Sequence, residues 1–114
     1  MKVVILMENS SCKEGIACAH GLSMYIETAR HKILFDMGPD TQFIDNAKEL
    51  GVDLTQVDIA FLSHAHNDHC GGLEAFLKLN DHAKVYMQKA VWGEYCVVTP
   101  SKCAYIGMDA VLKN

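Results

Sequence analysis

The stretch VDIAFLSHAHNDHCGG, residues 57–72, runs from an apolar segment straight into a histidine cluster. Residues 57–63 have the length and apolar character of a buried strand. His64, His66, Asp68 and His69 follow within six positions and use half of the chain's six histidines. If the chain stays near-extended, His64 and His66 project to one side, because side chains along a strand alternate with period two. Both imidazoles can then grip one metal ion. Asp68 and His69 lie just past the turn and reach a second position. Imidazole and carboxylate donors suit zinc, iron or manganese. Gly71 and Gly72 let the next helix begin close to the cluster, where its first amides would favour anionic groups. Chance places such a pattern in a chain of this composition roughly once in a thousand, so a solvated loop that happens to be histidine-rich is a poor alternative. His31 and His82 have no such setting and read as turn residues.

Working outward, residues 3–7 read as a strand that is apolar on both faces. Residues 9–20 are small and polar and read as a loop. Residues 22–28 alternate, with Leu22, Met24 and Ile26 on one face and Ser23, Tyr25 and Glu27 on the other. Arg30 and His31 make a short turn, so a strand over 32–36 should pair antiparallel with its predecessor. Gly38, Pro39 and Asp40 break that strand, and Asp40 is placed to cap a helix carrying Phe43, Ile44, Ala47 and Leu50 at helical spacing. Gly51 is placed to close the helix in the left-handed conformation. Leu73, Phe76 and Leu77 mark a second short helix, and residues 84–88 a further strand. Residues 90–95 suggest a helical turn, and 96–114 give no clear pattern. The order predicts a mixed α/β sheet with helices on one side.

Composition narrows the function. A chain of 114 residues has room for one modest domain, burying roughly 65% of the surface its unfolded form exposes. Its longest apolar runs are strand-sized, far from the ~20 residues of a membrane span. MKVVILMENSS is interrupted by Glu8 and lacks a small-residue cleavage site, so it reads as a first strand of a cytoplasmic protein rather than a signal peptide. The net charge is −4 and the basic residues are scattered, unlike the clustered footprint of a nucleic-acid binder. Cys12, Cys18, Cys70, Cys96 and Cys103 are odd in number and form no CxxC pair. They read as free or buried thiols, not as a disulfide framework or a zinc ribbon.

The pattern SHAHNDHCGG resembles the HxHxDH signature of the metallo-β-lactamase superfamily. HGLSMYIET, ILFDMGPD, NAKELGVDL and VDIAFLSHAHNDHCGG follow in the order and spacing of that fold's N-terminal half. AHGLSMYIE is most similar to its dihydropterin synthase-like hydrolases. The resemblance implies half of a four-layer αβ/βα sandwich and a metal-dependent hydrolase acting on a small molecule. It implies one or two divalent ions, zinc first, with iron or manganese as alternatives. By the same resemblance His64 and His66 bind the first metal, and Asp68 and His69 the second. With a single zinc, Asp68 instead serves as the base that handles the attacking water. Asp36, in LFDMG, matches a buried aspartate that steadies the metal loop; an aspartate ending an apolar strand needs partners to be buried at all. His20 matches a histidine near the substrate pocket, with an ordinary loop histidine as the alternative.

In that superfamily the second half supplies a further metal-binding histidine, a bridging aspartate and a final histidine. After His69 this sequence offers only His82, Asp81 and Asp109, and their spacing does not fit. The resemblance therefore implies a truncated domain over residues 1–114 with a half-built metal site. Val3, Ile5, Ile59 and Phe61 would line a sheet face with no partner, and a monomer rarely leaves a large apolar face wet. A homodimer with a self-complementary interface would cover it, as would a C-terminal half on another chain. Three expectations follow: a metal-dependent hydrolase, a non-catalytic half-domain that binds metal or self-associates, or one subunit of a split hydrolase.

Overall fold

The first three strands form where alternation and turn residues place them. β1 (Lys2–Met7), β2 (Ser23–Glu27) and β3 (Lys32–Phe35) pair antiparallel in succession. In the turn that joins β2 to β3, Thr28 Oγ1 accepts the amides of Arg30 and His31. His31 Nδ1 lies 2.8 Å from Asp58 Oδ2, so His31 serves the turn as expected. The computed structural model describes residues 1–11, 13–108 and 112. Cys12 and Asp109, both weighed above, lie outside the described residues.

From β3 the chain passes through α1 (Gln42–Glu49) to β4 (Ile59–Leu62), then through α2 (Asn67–Cys70) and α3 (Leu73–Leu79) to β5 (Lys84–Met87). These crossovers make β3, β4 and β5 parallel, in a sheet of order β1-β2-β3-β4-β5. The mixed α/β class is the one the sequence pattern implies. β4 is shorter than the expected 57–63. A 3₁₀ turn over Leu54–Gln56 precedes it, and Ser63 leaves the ladder because Asp36 takes its amide. Past β5 the expected helical turn is a 3₁₀ turn at Lys89–Trp92, and a hairpin of β6 (Cys96–Thr99) and β7 (Lys102–Tyr105) follows. No helix among the described residues is long and apolar enough to cross a membrane.

Helix ends show where local chemistry decides. Gly51 has φ 74° and closes α1. The amide of Val52 reaches Ala47 O and that of Gly51 reaches Lys48 O, the paired bonds of a Schellman closure. The helix start departs from expectation. Thr41 occupies the cap position, and Asp40 sits one residue earlier, accepting the Gln42 amide at 2.8 Å. A carboxylate one position early makes a turn before the helix instead of a cap on it.

The sheet has two unlike faces. Leu34, Ala60 and Leu62 are buried with Phe43 and Ala47 of α1 and Phe76 of α3. The other face carries Val3, Ile5, Phe61 and Tyr86, respectively 50%, 44%, 38% and 51% exposed. The strand register aligns Phe35, Phe61 and Tyr86 across three strands, and the Phe61 and Tyr86 rings stack. The strands read as buried on both faces are therefore covered by helices on one face only.

Asn46, 1% exposed on α1, ties the helix to β1 and the following loop. Its Nδ2 donates to Leu6 O and Ala17 O, and its Oδ1 accepts the Ala17 amide. Asn46→Ala leaves those backbone groups unpaired and should cost about 1–3 kcal/mol of stability. Urea unfolding of the two proteins measures it.

Candidate metal centre

Parallel strands send their C-terminal ends to one edge of a sheet, and open α/β sheets build their sites there. β3 ends there in Asp36, and β4 ends there in the histidine loop. Asp36 has φ 57°, the left-handed region that aspartate tolerates better than most residues. That turn drives its side chain inward, and the residue is 0% exposed. A buried carboxylate must be satisfied by hydrogen bonds. Ser63 N–H donates to Oδ1 at 2.8 Å, Ser63 Oγ–H to Oδ2 at 2.6 Å, and His69 Nδ1 lies 2.7 Å from Oδ2.

These bonds fix where the protons of two imidazoles lie. A carboxylate only accepts, so His69 carries a proton on Nδ1, and in the neutral ring the lone pair lies on Nε2. Ser63 spends its one proton on Asp36. Its Oγ then accepts at 2.8 Å from His64 Nδ1, so the lone pair of His64 is also on Nε2. One buried aspartate thus places a proton on two imidazoles, directly for His69 and through Ser63 for His64. This is the work of the partners that orient metal-binding histidines in general.

The expected ligands do come together. His64, His66 and Asp68 each offer a ligand atom within 4.8 Å of the others. The His64 and His69 rings lie 4.2 Å apart between centroids, and His64 and His66 4.6 Å apart. His69 Nε2 is 3.5 Å from Asp68 Oδ2. The division differs from the expected one in that Asp68 faces His64 and His66 as well as His69. Asp36 also lies within this spacing of His64 and His69. Its oxygens already accept the three bonds above, which tie it to Ser63 and His69. Partial burial and the neighbouring His69 and His66 push the His64 imidazole below its ordinary value, which favours the neutral form a metal needs.

The loop reaches this shape by a helical turn. The amides of His69 and Cys70 bond His66 O, so Asp68 and His69 sit on α2 rather than past an extended turn. Cys70 is buried, its thiol pushed up to about 11 mainly by that burial. Gly71 follows with no room for a side chain: a Cβ there would lie 2.0 Å from Pro39 O. A Cβ on Gly72 would lie 2.3 Å from Met37 O and 2.4 Å from Phe43. The two glycines let α2 and α3 press on the β3–α1 connection. The start of α3 is consequently brought against Met37, Asp40 and Phe43.

His20 stands beside the cluster, with Nε2 3.2 Å from Asp68 Oδ2 and its side chain 80% exposed. His82 lies near Asp81 in a turn, as expected. Three further residues reach the cluster through the fold. Ser63 carried a weak signal, as the polar residue between strand and histidines. Tyr95, whose ring lies 5.9 Å from that of His66, and Asn9, which bonds His20, carried none. Leu62, His66, Gln88, Val91 and Tyr95 line a small cavity of about 100 Å³ beside the histidines.

Comparison with known proteins agrees with this geometry. The family model of the metallo-beta-lactamase superfamily matches residues 17–91. The chain is 33% identical to the uncharacterized protein MJ0448 of Methanocaldococcus jannaschii, over 98% of this chain and 42% of that protein. It is 38% identical to the 7,8-dihydropterin-6-methyl-4-(beta-D-ribofuranosyl)-aminobenzene-5'-phosphate synthase of the same organism, over 52% of this chain and 22% of that one. The crystal structure of Tm1679, a metal-dependent hydrolase of the beta-lactamase superfamily, superposes with a TM-score of 0.73 at 30% identity. That match covers 94% of this chain and 36% of the other. The chain thus spans less than half the length of each of these relatives.

Two outcomes follow from the network. Asp36→Ala strands the Ser63 and His69 donors and should cost about 3 kcal/mol in urea unfolding. The folded value of His64 is lowered, so its contribution to metal-free stability is complete above its ordinary value of 6.5 and is lost as pH falls below it. Relative to a His64→Phe variant, the metal-free chain should lose stability between about pH 7.5 and about pH 5. Paired unfolding curves at the two pH values measure this.

Proposed function

The chain belongs to the metallo-beta-lactamase superfamily, and from that membership we propose a metal-dependent hydrolase in which His64, His66, Asp68 and His69 hold one or two divalent ions, zinc first. The observation that carries this reading is the Asp36 network, which bonds His69 directly and His64 through Ser63 beside the cluster of His64, His66 and Asp68. A polar loop without a ligand has no use for a buried carboxylate that selects tautomers. A divalent ion bound there would act as a Lewis acid and make water a nucleophile near neutral pH.

The chain's own groups supply the rest. With a single ion held by the histidines, Asp68, 18% exposed at the border with solvent, can instead take the proton of an attacking water. The lowered His64 imidazole favours the neutral, ligating form, and Asp36 balances positive charge from below. The substrate is a small molecule with an ester, phosphoester or related bond. The similarity to a dihydropterin phosphate synthase over half the chain supports a phosphorylated or pterin-like one. Free thiols at Cys18, Cys70, Cys96 and Cys103 support a reducing, cytoplasmic setting.

The exposed sheet face supports a second reading alongside the first. Val3, Ile5, Phe61 and Tyr86 form an apolar surface of the kind that monomers seldom leave bare. We propose that another αβ layer covers it, either a second copy of this chain or a C-terminal half. Such a layer would bring further ligands to the sheet edge where the histidines stand. Without it the chain is a half-domain that binds metal and does not turn over.

Metal content per purified chain tests the first reading. At least one zinc per chain is expected, lost in a His64→Ala/His66→Ala variant; no metal above that variant's background overturns it. Sedimentation equilibrium tests the second. A dimer at micromolar concentration is expected, dissociated by Phe61→Glu, and a folded monomer would overturn self-association.

A further inference from the structure

We propose that Asn9 is a positioning residue for the metal centre, selecting the tautomer of His20 that donates a hydrogen bond to Asp68. The inference deepens the proposed function and rests on Asp68 as a ligand or base. Asn9 follows β1, far in sequence from the histidine motif. Its Oδ1 accepts the Gly21 amide at 3.2 Å, which fixes the amide's orientation. Its Nδ2 then faces His20 Nδ1 at 3.1 Å. An amide nitrogen only donates, so His20 Nδ1 accepts and the ring proton lies on Nε2. That nitrogen is 3.2 Å from Asp68 Oδ2.

The backbone holds this relay in place. Leu22 N–H donates to Asp68 O at 3.3 Å. Gly21 has φ 148°, and a Cβ there would lie 2.2 Å from the same oxygen. Only glycine lets the His20 segment lie so close to α2. An imidazole held this way, with Nε2 as the donor, fixes the Asp68 side chain. It takes one of about four lone-pair sites on the carboxylate and leaves the others.

Asn9→Asp tests the relay. The substitution keeps the size of the side chain and its acceptor for the Gly21 amide, but a carboxylate cannot donate to His20 Nδ1. Long-range ¹H–¹⁵N spectra of the metal-free protein, taken above neutral pH, read the tautomer directly. In the wild type His20 should be protonated on Nε2. In Asn9→Asp it should gain a proton on Nδ1, and zinc affinity should fall by about 10- to 100-fold, the usual effect of losing a partner that orients a ligand. An unchanged Nε2–H form in the variant would overturn the assignment of Asn9. A moved proton with unchanged zinc affinity would overturn its positioning role. A wild-type chain that takes up no zinc would overturn the metal reading instead, and the metal-free spectra would still judge the Asn9–His20 bond.

Discussion

A carboxylate buried without water needs every donor it can find, and the arrangement around Asp36 follows from that need. Its donors come from the residue that leaves β4 and from the helical turn α2. Backbone bonds run the same way: Asp36 N–H donates to Phe61 O, and Met37 N–H to His69 O. The end of one strand is thereby tied to the end of the next and to the loop beyond it. Satisfying the charge and orienting the histidines are one act, because His69 is itself a donor and Ser63 passes the constraint on to His64.

Topology puts this network where a site can use it. The parallel run β3-β4-β5 gathers its C-terminal ends at one edge, and close backbone packing brings loops together over that edge. Gly21 gives access for the His20 segment, and Gly71 and Gly72 let α2 and α3 settle on the β3–α1 connection. The later hairpin joins in through its backbone, as Asn67 N–H donates to Ile106 O and Ile106 N–H to Tyr95 O. The cost of a sheet with helices on one side only is the exposed apolar face of Val3, Ile5, Phe61 and Tyr86.

Much of this was legible in the sequence. Strand alternation marked β2, the short turn after it β3, helical spacing with Gly51 α1, and the density of histidines the loop where they cluster. Asp36 was legible too, since a charged residue ending an apolar strand must be compensated. The rest depended on contacts between distant segments. Asn9 and Tyr95 meet the histidines through the fold, and no local pattern marks them. α2 was missed because four residues are too few for a periodic signal. The hairpin of β6 and β7 was missed because β6 is exposed throughout, so it has no buried face to pattern it. The Asp40 cap was misplaced by one residue, within the usual uncertainty of helix ends.

The central claim is that Asp36 sets the proton positions of His64 and His69 before any metal arrives. Long-range ¹H–¹⁵N correlation of those two rings in the metal-free protein tests it directly. In the neutral rings, read above neutral pH, the proton of each should lie on Nδ1 and leave Nε2 bare. An Nε2–H form of either histidine would contradict the account.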